Sequence, residues 1–341
     1  MAKWFDRESE RLATVVRLSE ATREVRLKLI DEYRMRSEAA FAPETLRNYR
    51  LIIRLFADWC AGEGYSAEPP VDPATIAAYV DHLGGRLRST TIETRLWAIS
   101  ELHRAAFMPN PCRHRLVELA VKGVKRKFGA SIRQANPLGK KDILEVIRSL
   151  GSSRLELRDK ATLWIATDSW CRASEIVALR VHDLLRQDDG SSLLFLARSK
   201  TDPFGEGAYA YLSEAGTEAV LRWIEIAGLK EADPILTKHQ RNAHVGPLDP
   251  ATISRIIKRC TGREDVSAHS TRIGGVHDAF RIGCDLSSIM IAGRWTSPEM
   301  PARYGRRILA SQSAAAKVSA AFAHTDKSNK CSEADPLHRE P

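Results

Sequence analysis

Apolar residues recur three and four positions apart almost without interruption through residues 1 to about 128, a period that fits α-helix and not the alternation of a strand. Leu46, Tyr49, Ile53, Phe56 and Cys60 carry it clearly. Their helix is predicted to start after Ala42, where Pro43 suits a first turn, and to stop at Gly62-Glu63-Gly64. A second helix is expected over residues 73–83. Ser89 and Thr90 are candidate caps for a third, which carries Ile92, Leu96, Ile99 and Leu102 and ends before Pro109-Asn110-Pro111. A fourth places Val117, Val121, Val124 and Phe128 on one face. Its other face carries Lys122, Lys125, Arg126 and Lys127, which suit either DNA phosphates or plain solvent.

The pattern breaks at residues 129–137, a stretch of small and turn residues without periodicity, so 1–128 reads as a helical domain and 129–137 as a linker. The second domain, 138–324, is mixed. Helices are predicted around Ile143 to Leu150, then over 163–170, 174–181, 214–226, 250–259 behind Asp249, 271–282, and 286–292 behind Asp285. Residues 192–199 and 208–212 read as two strands around Asp202-Pro203-Phe204-Gly205, with Ala208, Ala210 and Leu212 alternating against Tyr209 and Tyr211. An alanine-rich segment, 308–323, closes the ordered part, and the polar tail 325–341 is expected to be disordered. The fold class is therefore mainly α with a small antiparallel β element, in two domains.

Fifty-two Lys and Arg against 43 Asp and Glu leave a formal charge of +9, which favours a polyanionic partner such as nucleic acid. The six cysteines, Cys60, Cys112, Cys171, Cys260, Cys284 and Cys331, are scattered without the close pairs of a zinc site or a disulfide framework. No apolar run has the length of a signal core or a membrane span. The expectation is a soluble, cytoplasmic protein without a resident metal or cofactor.

The chemistry-bearing stretches are His269-Ser270-Thr271-Arg272, Gly293-Arg294-Trp295 and Arg303-Tyr304-Gly305-Arg306-Arg307. Taken singly, each has a bland reading: a helix-surface His and Arg, a core indole, an interfacial tyrosine. Two more stretches, Cys171-Arg172-Ala173-Ser174-Glu175-Ile176 and Arg198-Ser199-Lys200-Thr201, put all of them in the order and at the separations of a known pattern. The chain resembles the tyrosine recombinases, also called phage integrases, from about residue 22 to about residue 322. In that family an Arg followed three residues later by an acid opens a helix, a Lys sits on a hairpin, and a His-x-x-Arg box precedes His or Trp and then a nucleophilic Tyr. Trp295, inside Ala-Gly-x-Trp-Thr, resembles the Cre-like branch. Arg294 departs from the small or polar residue common there, and residues 237–247 differ from that branch in length and composition.

The resemblance implies roles. Tyr304 attacks a backbone phosphate, forming a 3′-phosphotyrosine and freeing a 5′ hydroxyl without ATP. A phenol, with a pKa of about 10, must lose its proton as it attacks, and His269 is the implied acceptor. Arg172 and Arg272 clamp the phosphate, Lys200 protonates the departing oxygen, Trp295 donates a hydrogen bond, and Glu175 orients the site. Lys230 or Lys238 compete for the role of Lys200. Lys238 and Arg241 are further candidate DNA contacts. The resemblance also implies a two-domain clamp on double-stranded DNA with inverted-repeat sites, a dimer on each site and a homotetramer on two, close association with the nucleoid, and passage of the 308–323 helix to a neighbour, although that helix suits docking on its own domain equally. A type IB topoisomerase and a catalytically inactive DNA-binding protein of the same fold are the alternatives.

Overall fold

Pro43 and Pro73 sit where a helix needs no amide hydrogen, and left-handed or extended glycines follow the last turns, so helix ends in the first part of the chain are fixed locally. The structure, a computed structural model, describes residues 23–130, 134–197, 206–238 and 246–322. The chain divides into two compact units, residues 1–133 and 134–341.

The first unit holds α1 (Arg23–Ala40), α2 (Pro43–Glu63), α3 (Pro73–Leu83), α4 (Ser89–Ala105) and α5 (Arg115–Phe128). Gly64 closes α2 at φ 76°, and the Asp72 carboxylate accepts the Ala74 amide to cap α3. Phe56, Ile76, Tyr79, Ile92, Ile99 and Val117 form the buried core. One expectation is corrected. Arg88, not Ser89 or Thr90, holds the cap position of α4 and makes no side-chain cap, while Ser89 is buried at the first helical position. On α5 Val117 and Val124 are buried, and Phe128, exposed at the helix end, lies with Val124 beside Gly84.

The second unit holds α6 (Lys140–Ser149), α7 (Arg154–Asp168), α8 (Ala173–Ala178), a three-stranded antiparallel sheet, α9 (Glu214–Ala227), α10 (Pro250–Thr261), α11 (Ala268–Arg281), α12 (Leu286–Gly293) and α13 (Glu299–Ser311). Helix α7 starts well before the predicted position. Ser153 and Glu156 form a capping box there, with the Ser153 amide donating to Glu156 at 3.0 Å. In the sheet, β1 (Leu184–Arg186) pairs with β2 (Ser192–Leu196) and β2 with β3 (Ala208–Leu212). Leu194, Leu196, Ala210 and Leu212 are buried on its inner face, and Tyr209 and Tyr211 point outward, as the alternation requires. Strand β2 ends at Leu196, short of the predicted Ser199; the turn at 202–205 lies outside the described residues.

Around the sheet, Leu163, Ile165, Ile176, Trp223, Ile253 and Ile256 make the main core, with the Trp223 indole donating to the Ile235 carbonyl at 2.7 Å. A second cluster, Ile273, Val276, Phe280, Ile289 and Tyr304, binds α11, α12 and α13 together. The alanine-rich segment is not one helix: Ile308 to Ser311 belong to α13, the helix breaks at Gln312 and Ser313, and a separate helical run spans 314–322. Among the described residues no helix is long and apolar enough to cross a membrane.

The entry of the chain into this unit depends on a close approach. The Leu138 amide donates to the Ser270 carbonyl at 3.0 Å, and a Cβ on Gly274 would overlap the Leu138 carbonyl. Gly274→Ala is therefore expected to destabilise the unit by about 3 kcal/mol and lower its Tm by roughly 6–12 °C. A thermal melt checks this, and an unchanged Tm would contradict the packing of Leu138 on α11.

Candidate active site

Helix α8 opens on Arg172, and the acid three residues later folds back on it. Glu175 accepts the Arg172 amide at 2.8 Å through one oxygen and the Arg172 guanidinium at 2.6 Å through the other. Glu175 is 3% exposed. Burial works to raise its pKa, but the amide and guanidinium of Arg172 and the charge of Arg294 outweigh that and hold the carboxyl below its ordinary value. The carboxylate is thus a fixed anion, and Arg172 is the more open of its partners, at 21% side-chain exposure.

Helix α11 opens on Ser267, whose hydroxyl accepts the His269 amide at 3.3 Å. His269 and Arg272 then fall on one face of the first turns. Arg272 is 1% exposed and donates to the carbonyls of Trp170 and Gly293. Its guanidinium carbon lies 4.1 Å from the centre of the Trp295 ring, a cation–π stack that helps to compensate for burial. Burial, then the charges of Arg172 and Arg294, bring its pKa down to about 10, so it stays cationic at neutral pH.

Tyr304 sits midway along α13 and is 7% exposed. Its hydroxyl is 2.8 Å from His269 Nε2, and its ring centre is 5.9 Å from that of Trp295. Burial raises the phenol pKa against the opposing charges of Arg272, Arg172 and Arg303. Burial, followed by Arg272 and Arg172, lowers that of His269. A protonated phenol facing a neutral imidazole is the arrangement in which the first gives its proton to the second.

A pH dependence follows. In the role that the resemblance implies for His269 the acceptor must be neutral, and burial with the charges of Arg272 and Arg172 holds its pKa below the ordinary value of about 6.5. At subsaturating DNA, where the free protein's groups are read out, the rate of strand attack is expected to stay level through neutrality and fall at acid pH with a midpoint below about 6.5. A midpoint at or above that value would contradict this environment for His269.

The structure thus brings Arg172, Glu175, His269, Arg272, Trp295 and Tyr304 into one connected cluster. Lys200 and Arg241 lie outside the described residues. Lys238 is exposed, its amide donating to Gly246, and Lys230 is exposed in a turn. Of the basic face on α5, Lys122, Arg126 and Lys127 are exposed, while Lys125 pairs with Glu93.

Sequence reasoning missed three supports of the cluster. Trp170, at φ 49°, offers its carbonyl to both Arg272 and Arg294. His277 Nε2 donates to the Tyr304 carbonyl at 2.8 Å and so ties α13 to α11. Arg294, taken only as a departure from pattern, reaches Glu175 at 3.2 Å. Each link is long-range, and only a pairing of distant segments would have revealed it. Among the described residues no group of His, Cys, Asp and Glu side chains comes together as a metal site.

Known proteins share this arrangement of elements. The recombinase Cre of Escherichia phage P1 is 29% identical over 312 residues, covering 84% of this chain and 90% of its own length. An integrase/recombinase XerD homologue of Selenomonas ruminantium is 29% identical over 289 residues, covering 79% of this chain and 83% of its own. In fold, the chain is similar to the XerH site-specific recombinase bound to a palindromic difH substrate, with a TM-score of 0.59 at 17% identity over 79% of each chain. The model of the phage integrase family matches residues 137–308, which hold every residue of the cluster, and the chain therefore belongs to the phage integrase family, the tyrosine recombinases.

Proposed function

We propose that this enzyme is a site-specific DNA recombinase that cuts and rejoins strands through a covalent bond between Tyr304 and a 3′ phosphate. The observation that carries the reading is the 2.8 Å contact between the Tyr304 hydroxyl and His269 Nε2, beside the positive charges of Arg272, Arg172 and Arg303. In the forward step the phenol oxygen bonds to phosphorus as its proton passes to His269. The bond from phosphorus to the 5′ oxygen breaks, and that oxygen takes a proton, a role assigned to Lys200 by resemblance. Charge gathers on the non-bridging oxygens, where two guanidiniums stabilise it without reorganising. Trp295 fixes Arg272 by stacking and offers its indole N–H to the same phosphate. A 5′ hydroxyl from the partner strand reverses the sequence, so the bond energy is conserved.

The helical domain, 1–128, and the catalytic domain, 138–324, joined by 129–137, would both contact the duplex. Lys122, Arg126 and Lys127 are exposed for phosphate contact, and Lys125 would need to leave Glu93. Lys238 and Arg241 would extend the contact on the catalytic unit. The proposed partner is double-stranded DNA with inverted repeats, bound by a dimer per site and a tetramer per synapse, and such a partner favours action in the cytoplasm with the nucleoid. The helical run 314–322 exposes Val318 and Phe322, apolar side chains suited to burial against a neighbour. A groove of about 360 Å³, lined by Trp170, Ala279, Ile282, Ile289 and Ala292 among others, is a site of matching chemistry for such a helix. Trp295 at this position supports membership of the Cre-like branch.

Covalent trapping tests the reading. The protein, with chelator present, is mixed with duplexes carrying inverted repeats and a nick beside the cleavage point, then run on a denaturing gel. A slower band that depends on the repeats supports site-specific recombination. Equal trapping on unrelated duplexes favours simple strand relaxation.

A further inference from the structure

The peptide from Gly293 to Trp295 encloses Arg272 in three ways at once. The Gly293 carbonyl accepts from its guanidinium, the Trp295 ring stacks on it, and the Arg294 side chain runs to the group that holds the other phosphate-binding arginine. Arg294 is the C-cap of α12 at φ 53° and ψ 49°, a left-handed conformation that glycine takes without strain. Its side chain is nonetheless 9% exposed, and both terminal nitrogens are engaged, while the buried Nε has no hydrogen-bond partner among the described residues. One terminal nitrogen donates to the Ser169 carbonyl at 3.0 Å and the Ala292 carbonyl at 3.1 Å. The other donates to the Trp170 carbonyl at 3.3 Å and Glu175 at 3.2 Å, with Cys171 Sγ at 3.4 Å.

Two junctions result. At Glu175, the Arg294 and Arg172 guanidiniums hold the same carboxylate through different oxygens. At the Trp170 carbonyl, Arg294 and Arg272 share one acceptor. We infer that Arg294 is a positioning residue that sets the separation of Arg172 and Arg272 by pinning Glu175 and the Trp170 carbonyl to the end of α12. The planar fork is what allows one side chain to reach the Ser169 and Trp170 carbonyls and the carboxylate together; a lysine ammonium supplies the charge at a single point and cannot span them. Arg294 is buried behind the site and needs no contact with the phosphate to act. Its own positive charge, next to two others, is tolerated because Glu175 neutralises part of it.

The inference rests on the proposed cleavage by Tyr304, and its test is arranged to tell the two apart. Wild-type protein first selects, from a pool of nicked inverted-repeat duplexes, one that it traps covalently. R294G removes the guanidinium and relieves the backbone; R294K keeps a charge. Both are expected to bind the selected duplex as the wild type does. Adduct formation should slow about a hundredfold in R294G, the effect of displacing a phosphate clamp by about an ångström, and by less in R294K.

A second readout does not involve DNA. The charges that act on His269 are those of Arg272 and Arg172, with Tyr304 as its hydrogen-bond partner. When Arg172 and Arg272 move apart, the His269 titration, followed by NMR of its Cε1 proton, should rise toward the ordinary histidine value in R294G. Adduct formation at the wild-type rate, or slowing with an unmoved His269 titration, would overturn the inference. If R294G does not fold, R294K decides by the same two measurements. If the wild type traps no duplex at all, the cleavage reading fails, and the His269 titration still decides whether Arg294 places the arginines.

Discussion

Tyr304→Phe is expected to abolish covalent attachment to DNA, by roughly 10⁵-fold or more, while leaving DNA binding and the fold intact. The substitution removes one oxygen from a ring that packs in the cluster with Phe280 and Ile289, so the apolar contacts survive. What is lost is the hydrogen bond to His269, a net cost of about 1 kcal/mol to stability. The chemical loss is total, because no neighbouring group can replace the phenol: His269 faces the same oxygen, and the surrounding charges belong to arginines. Single-turnover trapping on a nicked duplex, beside a gel-shift titration and a thermal melt, checks all parts of this expectation. Adduct formation by the variant would mean that another residue attacks.

Arg272→Lys should cost nearly as much, about 10³-fold or more in adduct formation, although the charge is formally kept. The guanidinium donates to the Trp170 and Gly293 carbonyls and stacks on Trp295, and this fixed plane is what presents its charge to a phosphate. A lysine cannot satisfy both carbonyls from one point, and a buried acceptor left without a donor costs about 1–3 kcal/mol. The burial that brings the Arg272 pKa down to about 10 would act more strongly on an ammonium, whose ordinary value is lower. The variant should therefore melt earlier and cleave far more slowly, with duplex affinity falling much less, since the proposed phosphate contacts include many other basic residues. A rate within tenfold of the wild type would show that charge alone suffices.

Much of the fold was legible because its signals are local. The apolar period of α2, the Asp249 and Asp285 caps, and the alternation in β3 each need only a few neighbouring residues. The helix that carries Tyr304 was not predicted, since its buried positions are Pro301, Tyr304 and Gly305, and these lack the aliphatic side chains by which periodicity is read. Strand β1, at three residues, is too short to alternate visibly. Ser89 had the chemistry of a cap but lies one position inside the helix, where it is buried.

For the site, the resemblance to the tyrosine recombinases pointed to Arg172, Glu175, His269, Arg272, Trp295 and Tyr304, and the structure brings them together. Arg294, Trp170 and His277 were invisible for a physical reason. Their contributions are made through backbone carbonyls, or to a carboxylate far away in sequence, and no spacing rule encodes such contacts.

The central claim is that the phenol of Tyr304 becomes bonded to DNA, and mapping the adduct tests it most directly. The trapped complex would be digested with protease and nuclease, and the peptide retaining a nucleotide identified by mass spectrometry. The account predicts a single modified peptide with the nucleotide on Tyr304, joined through a 3′ phosphate and formed with chelator present. A nucleotide on Tyr209, Tyr211 or any other residue, or a bond to a 5′ phosphate, would contradict it.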